Sequence, residues 1–319
     1  MKSAVHNKKK HPNSKKPYGR RVLIDIRRDP SLYLMLLPVL IFYLLFCYKP
    51  MYGALIAFFD YIPGLPMFRS EFVGLRNFIE FFNNRNFGRL IRNTLTISLA
   101  TIIFGFPAPI ILALLLNELR SKIYTRVVQT ISYMPHFISL VVICGMIRNF
   151  TAANGFIGHF MISIGLAQQS AMLSQAKFFV PIYVISDIWQ QVGYGSIIYL
   201  AALTNIDQEL YEAAKIDGAN KWNQMIYVTL PGILPTIMTL LLLRLGRIMN
   251  VGFEKIFLLY NPQVYEVSDV ISTFVYRVGL QQFDFSFSTA VGLFNSIINF
   301  CILIIANELS KKLTDNGLW

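Results

Sequence analysis

The chain is poor in charge, cysteine and histidine, and each shortage excludes something. Only 14% of its 319 residues are charged, against about a quarter in ordinary soluble domains. The three cysteines, Cys47, Cys144 and Cys301, lie far apart in apolar stretches. Neither a disulfide framework nor a thiolate metal site is expected, and each reads as a small buried hydrophobe. Of the four histidines, His6 and His11 fall near the start, while His136 and His159 stand alone without metal-ligand spacing. There is no Gly-Lys pair, so the phosphate cradle of nucleotide hydrolases is absent. No serine sits in a nucleophile elbow. Nothing here supports enzymatic activity, and neither a metal nor a cofactor is expected.

What the chain has instead is long apolar runs. Hydrophobic residues make up 55% and the mean hydropathy is +0.50. Crossing a bilayer takes about 20 apolar helical residues, and six stretches qualify: 32–59, 91–116, 127–148, 178–203, 230–250 and 288–309. Pro50 is expected to end the straight part of the first, and Pro107 and Pro109 to bend the second. Fold class is therefore all-α, a polytopic membrane protein with about six transmembrane helices. Net charge is +12, and the tail from Lys2 to Arg28 holds ten of the 29 basic residues against Asp25 alone. Just ahead of a span, such a tail reads as a cytoplasmic anchor on anionic lipid rather than a nucleic-acid grip. It is too long, and the apolar run after it too extended, for a cleavable signal.

With that tail inside, the connections on the same side carry Arg120, Lys122, Arg126, Lys215, Lys221, Lys311 and Lys312. The external connection 149–175 carries none. The first external connection, with Arg69, Arg76, Arg85 and Arg89, is an exception that the tail outweighs. The organisation is then a basic cytoplasmic tail (1–31), a first span with its external connection (32–90), a five-span core (91–309) and a cytoplasmic C-terminal tail (310–319). The external segment 251–287 is rich in aromatics.

The most informative stretch is polar. Glu212-Ala213-Ala214-Lys215-Ile216-Asp217-Gly218-Ala219 lies between two long apolar segments, followed by Leu230-Pro231 and Pro235. A helix from about 209 to 216 is too short to stand alone in water. Asn205 or Asp207 suits its N-cap, Gly218 suits a left-handed end, and Asp217 suits an Asx hydrogen bond to the turn. Ala213 and Ala214 permit close approach, and Tyr211 and Trp222 are anchors of the type that dominate interfaces. The orientation puts this element in the cytoplasm.

This stretch resembles the "EAA" loop of the membrane subunits of binding-protein-dependent ABC importers, E-A-A-x-x-D-G-A, five residues, then F-x-x-I-x-L-P-x-x-x-P. Met225 and Val228 stand where Phe and Ile are commonest, and both keep the position apolar. Tyr48-Lys49-Pro50-Met51-Tyr52-Gly53, Gly105-Phe106-Pro107-Ala108-Pro109 and Ile198-Tyr199-Leu200-Ala201-Ala202-Leu203 are similar to the carbohydrate-importing branch, especially its oligosaccharide permeases. The resemblance runs from about residue 32 to the end. It implies a type I ABC importer permease fold with a cytoplasmic coupling helix between the fourth and fifth spans (EAA loop 205–229). It also implies a location in a bacterial plasma membrane with both termini cytoplasmic.

The resemblance further implies Tyr211, Glu212, Ala213, Ala214, Asp217, Gly218, Ala219 and Trp222 as the ATPase-coupling residues. The implied partners are a second homologous permease subunit, two ATPase subunits that bind the ATP and magnesium, and an extracellular sugar-binding lipoprotein. The cargo would be a carbohydrate, an oligosaccharide by branch. Polar and aromatic residues inside spans face a cavity or a neighbouring helix, and sugars are held by aromatic faces and amides. Trp189, Gln190, Tyr194, Asn250, Glu254 and Asn295 are the pathway candidates, with interhelical packing as the alternative at each. Asp187 with Arg244 or Arg247 reads equally as a structural ion pair. The competing function is a self-contained secondary transporter or channel, which would need no cytoplasmic plug.

Overall fold

A computed structural model describes residues 28–168, 171–314 and 317–318. Of the basic tail, only residues 28–31 fall within the described residues. The chain divides into two units, Met1–Leu55 and Ile56–Trp319. Among the described residues, five helical stretches are long and apolar enough to cross a membrane: α1 (Pro30–Phe58), α3 (Phe87–Glu118), Leu140–Ser163, α9 (Lys221–Leu245) and α13, whose apolar part is Phe285–Lys312 within Phe285–Thr314. A sixth helix, α7 (Ala176–Thr204), has 29 residues, enough for a crossing, but its polar side chains leave it less apolar than those five.

The expected second, fourth and sixth spans each match one helix, and the prolines of α3 are absorbed without a break. A single wide turn at Thr101–Gly105 precedes Pro107, which then opens the following α-helical stretch at its first position. Proline lacks an N–H and crowds the preceding turn, and widening that turn relieves both. The fifth span starts earlier than expected, at Lys221, and its helix ends at Leu245. Residues 246–249 form turns rather than helix. In α1, Pro50 falls in a helical stretch between a wide turn at Tyr43–Tyr48 and a tight one at Tyr52–Phe58.

The third span differs most. Residues 127–148 are not one helix: α4 (Lys122–Tyr133) stops at a tight turn, Met134–Phe137, and α5 (Leu140–Thr151) begins after it. Pro135 sits in that turn and disrupts the helical ladder. A further turn separates α5 from α6 (Phe156–Ser163). The end of α4 presses on the middle of α7, where a Cβ on Gly193 would overlap the Ser132 carbonyl. Close backbone approach through a small residue is a common way for membrane helices to pack. Cys144 is buried as expected, whereas Cys47 and Cys301 are exposed on their helices.

Between α9 and α13 lies a compact segment of short helices: α10 (Phe253–Leu259), α11 (Tyr265–Ser268) and α12 (Ile271–Tyr276). It is locked to the start of α3 by ions. Asp269, 0% exposed, meets Arg277 at 2.7 Å and Arg89 at 3.3 Å. It also accepts from the Thr273 hydroxyl at 2.9 Å. Asn93 donates to the Asp269 and Glu266 carbonyls, each at 3.0 Å. Burial works against the Arg277 charge, but its bonds to Asp269 keep its pKa above the ordinary arginine value. The Tyr260 phenol is pushed up to about 12, first by burial and then by its hydrogen bond with Tyr265. Elsewhere, a two-residue antiparallel ladder pairs β1 (Phe59–Asp60) with β2 (Glu71–Phe72), and Asn77 of α2 (Arg76–Asn83) donates to the Ala57 carbonyl at 2.9 Å.

Candidate functional site

The polar stretch folds as a short helix and a sharp turn. In α8 (Gln208–Ile216), the Asp207 carboxylate accepts from the Glu209 amide at 3.0 Å and caps the start. At the other end Gly218 has φ +79°. Its N–H donates to the Lys215 carbonyl at 3.1 Å, and the Ala219 N–H donates to the Ala214 carbonyl at 2.9 Å. That pair of bonds is a Schellman motif, which needs the left-handed residue that glycine supplies at least cost. Asn220 then caps the start of α9 through the Asn223 amide at 2.9 Å. The Gln224 side chain reaches back to the Ala219 carbonyl at 2.9 Å.

The faces of α8 divide. Tyr211 is half-buried, and its hydroxyl shares a 3.0 Å hydrogen bond with Thr229 of α9. It anchors the loop to the helix bundle, so its role is not that of a free outward anchor. Ala214 and Ala219 are also half-buried, whereas Glu212, Ala213, Asp217, Gly218 and Trp222 are exposed. Asp217 closes the helix through its backbone, donating to the Ala213 carbonyl at 3.0 Å, rather than through its side chain. Ile216 at 87% and Trp222 at 64% exposure leave a large apolar surface at the tip, and Lys221 pairs with Glu118 of α3 at 2.9 Å. A helix with no buried residue of its own gains little from self-packing and is built to be covered.

A second polar region lies between α3, α7 and α9. Asp187 is its hub, 3.4 Å from Lys255 and 3.8 Å from Arg244. Lys255, with a side chain 5% exposed, also sits over the Tyr183 ring at 4.9 Å. Two cavities meet at this hub. One, of about 500 Å³, takes in Asp187, Arg244, Arg247 and Asn250. The other, of about 430 Å³, takes in Asp187, Gln190, Gln191, Glu254 and Lys255. Among the described residues, no three His, Cys, Asp or Glu side chains are grouped to hold a metal ion.

Of the pathway candidates, Gln190, Asn250 and Glu254 thus face these cavities. Asn295 joins through Asn250, donating at 2.6 Å. Tyr194 stacks on His136 with ring centroids 3.8 Å apart, and His136 meets Gln191 at 2.9 Å. Trp189 points elsewhere. At about 100° per residue it lies roughly opposite Asp187, and it lines an apolar cavity with Met146, Phe150 and Ile185. Sequence reasoning missed Lys255. Its one signal was a lone lysine in the otherwise apolar run after Glu254, and nothing local says that it reaches Asp187, 68 residues away.

Comparison with known proteins adds to this geometry. Residues 105–315 match the family described as "Binding-protein-dependent transport system inner membrane component". Protein LplB of Bacillus subtilis (strain 168) is 44% identical over 295 residues, covering 92% of each chain. The polygalacturonan/rhamnogalacturonan transport system permease protein YteP of the same organism is 42% identical over 306 residues, covering 96% of this chain and 95% of that one. Among solved structures, a chain of a bacterial alginate ABC transporter, in complex with an alginate pentasaccharide-bound periplasmic protein, superposes with a TM-score of 0.85. It has 45% identity and covers 93% of this chain and 100% of that one.

Proposed function

This chain belongs to the family of binding-protein-dependent transport system inner membrane components, and from that premise we propose how it works as the permease subunit of an ABC importer. It forms half of a translocation pathway for an oligosaccharide, the other half coming from a second, related permease. Two ATPase subunits dock on its loop 205–229 and bind the ATP and magnesium, so the permease itself hydrolyses nothing and holds no cofactor. A sugar-binding protein outside delivers the cargo. The subunit lies in a bacterial plasma membrane with the tails 1–31 and 310–319 and the loop on the cytoplasmic side.

The observation that carries this reading is α8. It is capped at both ends, fixed to α9 through Tyr211 and Thr229, and bare at Ile216, with Trp222 at the start of α9 also exposed beside it. Such an element transmits force: a partner that grips its exposed face moves α9 with it. Glu212 and Asp217 lie on the exposed surface, available to basic groups of the partner. Inside the bundle, Gln190, Asn250, Glu254 and Asn295 offer amide and carboxylate groups to sugar hydroxyls, and Tyr194 offers a ring face. Trp189 belongs on the opposite face of α7 and is expected to contribute packing.

The test is vanadate-sensitive ATP hydrolysis by the affinity-purified assembly, with and without Gly218→Pro. Proline cannot adopt φ +79° and lacks the N–H that bonds Lys215. The ATPase is expected to copurify with the native chain and to be lost or uncoupled in the variant. If neither form retains an ATPase, yet both move solute down an ion gradient, the chain is a secondary transporter.

A further inference from the structure

We propose that the cavity beside Arg244 and Arg247 is a subsite for carboxylate groups, so that the carried oligosaccharide contains uronate sugars. This rests on the carbohydrate-permease reading and extends it to the chemistry of the cargo.

The argument begins with charge in and around one cavity of about 500 Å³, a size within the usual range for small-ligand sites. Arg244, Arg247 and Asp187 line it. Asp187 is already claimed: Lys255 lies 3.4 Å from its Oδ1, itself 5% exposed and held over the Tyr183 ring. The approach of Arg244 to the other carboxylate oxygen is 3.8 Å, long against the 2.7–2.9 Å of a charge-assisted bond. Among the described residues, Arg247 makes no side-chain hydrogen bond or ion pair. Two guanidiniums therefore face a cavity whose one acid is spent on a third cation.

Arg244 lies in the last turn of a spanning helix, where a cation is costly and is kept where a pathway or ligand uses it; Arg247, exposed, follows just past the helix end. A neutral sugar needs none: hydroxyls are read adequately by amides and hydroxyls. The end of α9 favours a cation through its dipole by under about 1 kcal/mol. That accounts for one basic residue in its last turn, not for a second past the helix end that lines the same cavity. The planar fork of arginine matches a carboxylate in two parallel bonds. The neighbours complete a sugar site. Asn250 accepts from Asn295 through its Oδ1, leaving its amide hydrogens to donate. Thr101 donates to the Ile97 carbonyl, leaving its oxygen to accept.

The experiment uses the complete transporter, with both permeases, its ATPases and excess binding protein, in proteoliposomes. Uptake is measured for uronate trisaccharides (galacturonate, mannuronate, guluronate) and for their carboxyl-reduced, neutral counterparts. The native assembly is expected to take up at least one uronate trisaccharide. Arg247→Gln is expected to raise its half-saturation about tenfold, as loss of a charged hydrogen bond does, with the ATPase still bound. Arg247→Lys, which keeps the charge and loses the fork, is expected to fall between, and it covers the case in which the glutamine variant fails to assemble. Uptake of uronates unaltered by both substitutions, or ATP-driven uptake of neutral sugars only, overturns the proposal while leaving the permease reading intact. ATP-driven uptake of no sugar at all overturns the reading beneath it.

Discussion

Gly218 shows what one residue decides here. Its φ of +79° leaves open space around a would-be Cβ, so Gly218→Ala meets no clash and costs only backbone strain, about 1 kcal/mol. Hydrogen exchange of the α8 amides should then quicken several-fold while the melting temperature of the whole chain stays put. Asp269 is the opposite case, a buried charge with two guanidiniums. Asp269→Asn leaves Arg89 and Arg277 facing an uncharged group. The expected loss is about 3 kcal/mol, the low end for a broken buried pair because both arginines keep some solvent access. Thermal unfolding in detergent reads it. At this scale the sequence was partly legible. Gly218 and the Asp207 cap follow from local rules of turn and helix ends. Tyr211 turning inward does not, because its partner Thr229 lies 18 residues on and only the path of α9 brings them together.

Helices were mostly readable, because apolar length is written locally and bilayer thickness sets it. The third crossing was not. The apolar run passes straight through Pro135, and composition does not reveal that the backbone breaks there. On α7, Trp189, Gln190 and Tyr194 share a chemistry, but at about 100° per residue Trp189 is turned away from Asp187 and lines an apolar cavity. Packing at this scale makes a sharp prediction. Gly193→Ala drives a methyl into the Ser132 carbonyl of α4, and either α4 or α7 must shift, for an overpacking cost of about 1–3 kcal/mol. A lower melting temperature checks this. Ile216→Asp should do the reverse. With 87% of the residue exposed, stability is unchanged, but retention of the ATPase through affinity purification falls sharply.

At the scale of the whole molecule, two regions matter. A bare, double-capped helix sits at one end of α9, and a cationic cavity lies beside the other. Both are tied to the same helix, and in the proposed reading a pull on the loop is passed along that helix to the cavity. The polar hub was half legible. Asp187 and Arg244 were visible as intramembrane charges, but Lys255 arrives from a segment read as an external connection, and no local pattern predicts that return. The central claim is that this chain moves sugar only when a separate ATPase pulls on α8. The most direct measurement is sugar uptake by proteoliposomes containing the full assembly, with ATP supplied on the loop side and all ion gradients collapsed by ionophores. The account predicts uptake that requires ATP, survives the ionophores and disappears with Gly218→Pro. Uptake that proceeds without ATP and stops when the gradients are collapsed would contradict it.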